Sequence, residues 1–340
     1  MSPALVVCIP ARNEAERLPR LLRALAAQEG PAPLRVLVLA NNCTDGTAEA
    51  ARREAAPSLE LRVEEAVLPP DRSHAGGARG LAMGRGAAWL REAGATDGVL
   101  LSTDADSEPP PHWVAANLAA IAAGAEAVGG AIRIAPEPGA AVPDWLQAAQ
   151  ARVARYWEAV RALAHAIDPL PYDPPPRHGD HTGASLAVTL AAFEAAGGVP
   201  AIPTGEDNAL VTAIERNGGR LRHPPDVWIA VSAREDGRAT GGMAGEVRRW
   251  REMAESGAPH LLPDAAFWQA LFMRNRALRD SWPRADARIA GADPDILART
   301  ARESVNAIAF VKRAEPLLPP LTPEWHEIAR ATRDLEAMVR

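Results

Sequence analysis

A chain of 340 residues, 47% of them apolar, can bury one large core with a smaller appendage or form two domains. Its net charge of −6, with scattered basic residues that are all Arg except Lys312, argues against nucleic acid as the main partner. Two cysteines, Cys8 in an apolar run and Cys43 in a polar turn, argue for a reducing, cytoplasmic setting and against a disulfide scaffold.

Met1 to Pro10 has no basic segment and too short an apolar run for a signal peptide, so Leu5 to Ile9 is read as a first strand. The polar turn Pro10-Ala-Arg12-Asn13-Glu14 opens a helix that carries Leu18, Leu21, Leu22 and Leu25 at helical spacing. Leu34 to Ala40 is a second strand without polar alternation, as expected when helices cover both faces of a parallel sheet. Asn41-Asn42-Cys43-Thr44-Asp45-Gly46-Thr47 is a turn rich in groups that bond to backbone, followed by a helix through Arg53 and a third strand, Leu61 to Leu68. His74 to Gly80 is a glycine-rich start to a helix that reaches Ala93. Val99 to Thr103 is the next strand, and it delivers Asp104 and Asp106 before Pro109-Pro110-Pro111.

Beyond these prolines, Val114 to Ile132 has nearly the length of a membrane span. Asn117, Glu126 and Gly129-Gly130 interrupt it, so it is read as a helix followed by a strand, Ala127 to Ile134. A helix from Trp145 to Ala166 leads into a proline-rich loop, Asp168 to His181. From Leu261 onward the chain reads as three helical segments broken by Pro283, Pro294 and the stretch Pro316 to Pro323. Trp268, Phe272 and Trp325 there are simplest as packing residues; an aromatic acceptor platform or a homodimer contact would use the same side chains.

The alternation of strand and helix places every polar cluster at a strand exit, where open α/β sheets bind ligands. In an extended segment Asp104 and Asp106 point to the same side, and the prolines are expected to end the strand before another pairing forms. Two converging carboxylates suit Mn²⁺ or Mg²⁺, which such sites hold together with substrate phosphates. The plain alternative is a solvated acidic turn or a helix cap. His178 and His181 flank Gly179-Asp180 at a spacing compatible with zinc. No other ligand set lies nearby and a proline-rich loop is a poor cage, so the loop is read as an acceptor-side lid.

These stretches together resemble glycosyltransferase family 2, nucleotide-sugar-dependent glycosyltransferases of the GT-A fold. Val6 to Glu14 resembles the family's opening strand and P-A-x-N-E turn, and Asn41 to Thr47 its second acidic turn. Gly77-Ala-Arg79-Gly80 is similar to the A-R-N turn, and Thr103-Asp-Ala-Asp106 to the metal-binding D-x-D. Gly205-Glu206-Asp207, preceded by Ala195-Ala-Gly-Gly198, is similar to the later E-D motif; the resemblance covers roughly residues 5 to 250.

The resemblance implies a Rossmann-like GT-A domain, mostly parallel sheet flanked by helices, over residues 1–238, with a helical C-terminal extension over 239–340. It implies that Pro10, Arg12, Glu14, Asn41 and Asp45 hold the nucleoside, Arg79 meets a phosphate, and Asp104 and Asp106 bind the cation, Asp104 also touching the nucleotide sugar. Asp207, with Glu206 beside it, would take the proton of the acceptor hydroxyl. Arg234 and Arg238 would close over the diphosphate, and His181 and Trp250 would stand on the acceptor side, Trp250 through Glu246-Val-Arg-Arg249-Trp250, which is similar to a Q-x-x-R-W motif. Plain alternatives accompany each: Asn41 and Asp45 as turn-satisfying groups, Arg79 as a surface residue, Glu206-Asp207 as an acidic cap, and Trp250 as packing.

The expected partners are a UDP-sugar ahead of a GDP-sugar and, with no membrane span to extrude a polymer, a small or carrier-linked hydroxyl acceptor. Two departures stand out: Asn41-Asn42 replaces the usual acidic pair, and the strand Asp226 to Arg234 lacks the histidine that some relatives use as a further metal ligand. They lend slight support to a second reading, a non-catalytic nucleotide-sugar binder, whereas Asp104, Asp106 and Asp207 together favour an enzyme. A sugar-nucleotide nucleotidyltransferase is a third, disfavoured because Pro-Ala-Arg-Asn-Glu stands where that class has a glycine-rich loop.

Overall fold

The computed structural model describes residues 3–135, 141–232, 242–286 and 288–340. By contacts the chain forms two compact units. The first comprises Met1–Ala135, Pro176–Ile214 and Gly219–Ala233, and the second Pro136–Pro175, Glu215–Gly218 and Arg234–Arg340, so no single cut of the chain separates them.

The elements begin with β1 (Leu5–Ala11), α1 (Leu18–Ala26), β2 (Leu34–Asn41), α2 (Thr47–Arg53), β3 (Leu59–Ala66), α3 (Ala75–Glu92) and β4 (Val99–Ser102). They continue with β5 (Ser107–Glu108), α4 (Trp113–Ala122), β6 (Ala127–Gly129), β7 (Ala131–Ala135), α5 (Asp144–Ile167), β8 (Leu186–Thr189), α6 (Leu190–Ala195) and α7 (Glu206–Arg216). The last are β9 (Leu221–Arg222), β10 (Trp228–Ser232), α8 (Met243–Ser256), β11 (Leu261–Pro263), α9 (Ala265–Ser281), α10 (Pro294–Arg302), α11 (Ala307–Ala314), β12 (Trp325–Glu327) and α12 (Ile328–Val339).

In the first unit a seven-stranded sheet runs β3-β2-β1-β4-β8-β6-β9. Its neighbours are parallel from β3 through β4 and again at β6–β9, and antiparallel at β4–β8 and β8–β6. This is the mostly parallel, helix-flanked α/β sheet expected from the uninterrupted apolar strands. Alternation along β1 sends Leu5, Val7 and Ile9 to one face, where they meet Leu18, Leu21, Leu22 and Leu25 of α1 and Trp113 of α4. Val6 and Cys8 face the other way, onto Met83 and Leu90 of α3 and Leu210 and Ile214 of α7. The order steps outward from β1 through β2 to β3, then returns to place β4 on the other side of β1. That reversal is the switch point at which open sheets bind ligands.

Three local expectations need correction. The segment Ala127 to Ile134 is two strands: β6 stays in the large sheet, whereas β7 joins β10 and β5 in a three-stranded sheet. The chain changes sheets at Gly130, where a Cβ would lie 2.0 Å from the Ser185 Oγ and only glycine fits. Strand β4 ends at Ser102, so Asp104 and Asp106 stand in a turn, closed by Ser107 N–H donating to the Asp104 carbonyl at 3.1 Å, and not in an extended segment. Nor do the prolines prevent a further pairing, because Ser107–Glu108 pairs antiparallel with Ala230 and Val231.

In the second unit Tyr156, Val160 and Leu163 of α5 pack with Ile328, Ala331 and Leu335 of α12. Leu278, Leu297, Phe310 and Val311 form a second cluster. The C-terminal stretch expected to give three helical segments gives four α-helices among the described residues. Pro294 opens α10 at its first turn, and the break before α11 falls at Asn306, whose side chain accepts from Ala309 N–H at 2.9 Å as an N-cap. Among the described residues no helix is long and apolar enough to cross a membrane.

Candidate active site

The ends of β1 and β2 carry the first group of expected residues. Pro10 lies in β1 opposite Leu39. Past the strand, Asn13 takes a left-handed conformation (φ 53°) and exchanges hydrogen bonds with Thr44, while Glu14 N–H donates to Thr47 Oγ1 at 2.9 Å. Glu14 is buried and Arg12 is exposed, its Nη1 donating to Ser73. Asp45 accepts from the amides of Ala15 at 3.2 Å and Thr47 at 3.0 Å and from the Thr47 hydroxyl. Burial raises its pKa, but these hydrogen bonds outweigh burial and hold it below the ordinary carboxylate value. Asp45 is thus a clamp between the two turns.

The amide pair at the end of β2 divides its work. Asn41 is buried at the strand's last position. Asn42 (φ 49°) extends the β2–β3 pairing with its side chain: Nδ2 donates to the Leu68 carbonyl at 3.0 Å and Oδ1 accepts from Leu68 N–H at 3.0 Å. Only an amide does both, which gives a structural reason for the absence of an acid at that position.

Arg79 is where the second group meets. It sits at the fifth position of α3, whose start is capped by His74 Nδ1 accepting from Gly77 N–H at 3.2 Å. The expectation placed Arg79 against a phosphate. Instead the guanidinium is buried, 6% exposed, and four of its five N–H groups are taken by the protein. Nε donates to Glu206 Oε1 at 2.9 Å, Nη1 to Ser102 Oγ at 2.7 Å and the Gly183 carbonyl at 2.8 Å, and Nη2 to Asp104 Oδ1 at 2.9 Å. Burial disfavours its charge, but Asp104 and Glu206 more than compensate and hold the cation.

Gly183 joins this cluster to Asp207. Its carbonyl also accepts from the Ser102 hydroxyl at 2.9 Å, and its N–H donates to Asp207 Oδ2 at 2.7 Å. The other Asp207 oxygen accepts from Asn208 N–H at 2.7 Å and its Nδ2 at 3.2 Å. A Cβ at Gly183 would lie 2.1 Å from Arg79 Cζ, so the guanidinium rests directly on the glycine backbone. Ser102 and Gly183 were not singled out from the sequence. The small-residue run Thr182-Gly183-Ala184-Ser185 before β8 was the available signal.

The donor set fits a divalent cation. One guanidinium is shared by Asp104 and Glu206, leaving excess negative charge, and the Asp104 side chain is 40% exposed with only Oδ1 engaged by Arg79. Among the described residues no cluster of three or more His, Cys, Asp or Glu is arranged to hold a metal. Mg²⁺ and Mn²⁺ do not require one, since one or two carboxylates plus water and substrate phosphates complete their shells.

On the expected acceptor side, His181 Nδ1 lies 3.2 Å from His223 Nε2, and Ile132 N–H donates to Asp180 Oδ2 at 3.1 Å, which ties the end of the proline-rich loop to β7. Trp250 belongs to the second unit, where with Arg152, Met253, His260 and Glu327 it lines a cleft of about 400 Å³. Beside it Arg249 pairs with Glu246 at 2.9 Å and meets His260 Nε2 at 3.3 Å; burial first, then Arg249, lowers the His260 pKa. Arg234 and Arg238 lie outside the described residues.

Among solved structures, S. aureus TarS 1–349 in complex with UDP-GlcNAc is 15% identical with a TM-score of 0.48, the match covering 92% of this chain and 91% of that one. The mannosyltransferase PcManGT from Pyrobaculum calidifontis, in complex with GDP-Man and Mn²⁺, is 20% identical with a TM-score of 0.48, covering 93% and 88%. Glucosyl-3-phosphoglycerate synthase from Mycobacterium tuberculosis, in complex with Mn²⁺, UDP and phosphoglyceric acid, is 17% identical with a TM-score of 0.40, covering 76% and 83%. No curated protein matches the chain. The family model described as glycosyl transferase family 2 matches residues 6–144, from β1 through the start of α5 and across the turns that carry Glu14, Asp45, Arg79 and Asp104. Residues 6–144, about two-fifths of the chain, therefore match the glycosyl transferase family 2 domain.

Proposed function

We propose that this glycosyltransferase moves a sugar from a nucleoside-diphosphate sugar to a hydroxyl of a small or carrier-linked acceptor, with a divalent cation. The observation that carries the reading is the chain of contacts at 2.7–2.9 Å from Asp104 through Arg79 and Gly183 to Asp207. It joins a carboxylate after β4 to one at the start of α7.

Asp104 and Asp106 are the residues that would hold Mn²⁺ or Mg²⁺, and the bound ion would supply positive charge where the diphosphate departs. Asp207 is kept oriented by Gly183 and Asn208, so that its carboxylate can accept the proton of an attacking hydroxyl. The Asp45 clamp holds the turns after β1 and β2 together, so Pro10, Arg12, Glu14 and Asn41 form the nucleoside side. Arg234 and Arg238 are proposed for the diphosphate, and His181 and Trp250 for the acceptor. The non-catalytic alternative drew support from Asn41-Asn42, and the bonding of Asn42 to Leu68 accounts for that amide without loss of activity.

The test is thermal stability against UDP, GDP, UDP-GlcNAc and GDP-mannose with Mn²⁺, Mg²⁺ or EDTA, for the wild type and Asp106→Ala. Binding to the native state raises the melting temperature by mass action. The expected result is a rise with one nucleotide class that disappears in EDTA and in Asp106→Ala. A chain that responds to none of these ligands, with or without metal, refutes the proposal.

A further inference from the structure

The Arg79 cluster differs from a phosphate-binding arginine in one respect: four of its five N–H donors are already engaged by the protein. Nε, both Nη1 protons and one Nη2 proton go to Glu206, Ser102, Gly183 and Asp104, in a side chain that is 6% exposed. A buried guanidinium so bonded has a single geometry, because its planar fork fixes the four acceptors relative to one another. Glu206 anchors it from the start of α7, and Asp104 hangs from its other edge. The Gly183 carbonyl is held twice, by Nη1 and by the Ser102 hydroxyl, and the Gly183 N–H in turn holds Asp207.

We infer that Arg79, Ser102 and the Gly183 backbone form a positioning unit that sets Asp104 relative to Asp207, and that Arg79 does not bind the diphosphate. The inference rests on the proposed glycosyl transfer, with Asp104 on the cation side and Asp207 on the hydroxyl side. Transfer needs the leaving phosphate and the attacking hydroxyl in register. A displacement of about 1 Å between the groups that hold them costs about 100-fold in rate. Nothing in this role requires Arg79 to touch either ligand.

Two variants test it. Arg79→Lys keeps the charge opposite Glu206 and Asp104, but a point-like ammonium with three donors cannot span four acceptors. Ser102→Ala removes one of the two bonds holding the Gly183 carbonyl and one of the four acceptors of Arg79, and alters no charge. For each, the affinity for the stabilising nucleoside diphosphate with Mn²⁺ is measured by calorimetry. The kcat and KM for its release from the corresponding sugar nucleotide are measured alongside.

The expected result for Arg79→Lys is an affinity within about threefold of wild type and a kcat lower by about 100-fold. Ser102→Ala should lower kcat by about tenfold or more at unchanged KM, since it removes one neutral hydrogen bond and one from a charged donor. If Arg79→Lys loses nucleotide affinity in proportion to kcat, the arginine faces the diphosphate and the inference fails. Unchanged kcat in both variants also overturns it. Should Arg79→Lys not fold, Ser102→Ala decides alone, by the same split. A wild type that neither binds nor cleaves any sugar nucleotide refutes instead the glycosyl-transfer reading beneath.

Discussion

Replacing Asn42 by Asp restores an acidic residue to the second turn and so separates a structural from a nucleotide-binding role for that amide. In the structure Nδ2 donates to the Leu68 carbonyl and Oδ1 accepts from Leu68 N–H, both at 3.0 Å. Asp keeps the second bond and loses the first, leaving a carboxylate oxygen against a carbonyl oxygen. The left-handed backbone at φ 49° is no obstacle, since Asp tolerates that region nearly as well as Asn. The cost is that of an unsatisfied acceptor, and because Asn42 and Leu68 are only half-buried it is about 1–2 kcal/mol, the lower part of the usual range. That corresponds to a factor of roughly 5–30 in the local opening equilibrium.

An effect confined to one strand pairing is read where it arises, by hydrogen exchange of peptides spanning residues 59–68 in variant and wild type. Protonation gives the Asn42→Asp variant a donor for the Leu68 carbonyl, which raises the folded-state pKa of the introduced carboxyl above its unfolded value. The bond is therefore present at low pH and lost as pH rises through the folded value, so the deficit should be full at pH 7 and shrink toward pH 4. Equal protection at pH 7, or a deficit that grows on acidification, would refute the account.

Two further outcomes follow from the ion pairs. In the second unit Asp168 is buried and bonded by Arg279, itself 19% exposed, through Nε at 2.9 Å and Nη2 at 3.1 Å, so Asp168→Ala strands a largely covered guanidinium and should destabilise by about 2–3 kcal/mol in urea unfolding. The surface pair Arg155–Glu336 has similar geometry, yet Glu336→Ala should leave the urea midpoint nearly unmoved; equal effects of the two substitutions contradict the burial argument. In the first unit Glu126 binds Arg220 through side chain and backbone, and although burial opposes it, these bonds hold its pKa below the ordinary value. A lowered folded-state pKa gives stability that is full above the unfolded value of about 4.3 and is lost as pH falls through the folded one. The urea-midpoint difference between wild type and Glu126→Gln should thus be constant from pH 7 to 5 and narrow below pH 4, whereas a pH-independent difference excludes the mechanism.

Much of the sheet was legible in the sequence because its signals are local. Strands without polar alternation imply two covered faces, and Leu18, Leu21, Leu22 and Leu25 mark the side of α1 that covers one of them. The polar turns were found at strand exits for the same reason. Illegible were the features fixed by approach across the fold. Gly130 reads as a weak spot in a strand until Ser185 is seen 2.0 Å from where its Cβ would be. The break before α11 was missed because a capping Asn is a quieter signal than a proline.

Arg79 shows the same limit at the site itself. A glycine-rich turn at a helix start is the local signature of a phosphate site, and the signature is present. What decides against a direct phosphate contact is the set of acceptors Ser102, Asp104, Gly183 and Glu206, which lie 23, 25, 104 and 127 positions away in the chain. Local sequence supplies a charge and a helix start; only tertiary contact shows whether the donors remain available. A buried arginine with four of its five donors engaged by the protein acts on substrate chiefly through the groups it holds. In this cluster those groups are the two carboxylates on which the proposed chemistry depends, one held directly and the other through a glycine that admits no side chain.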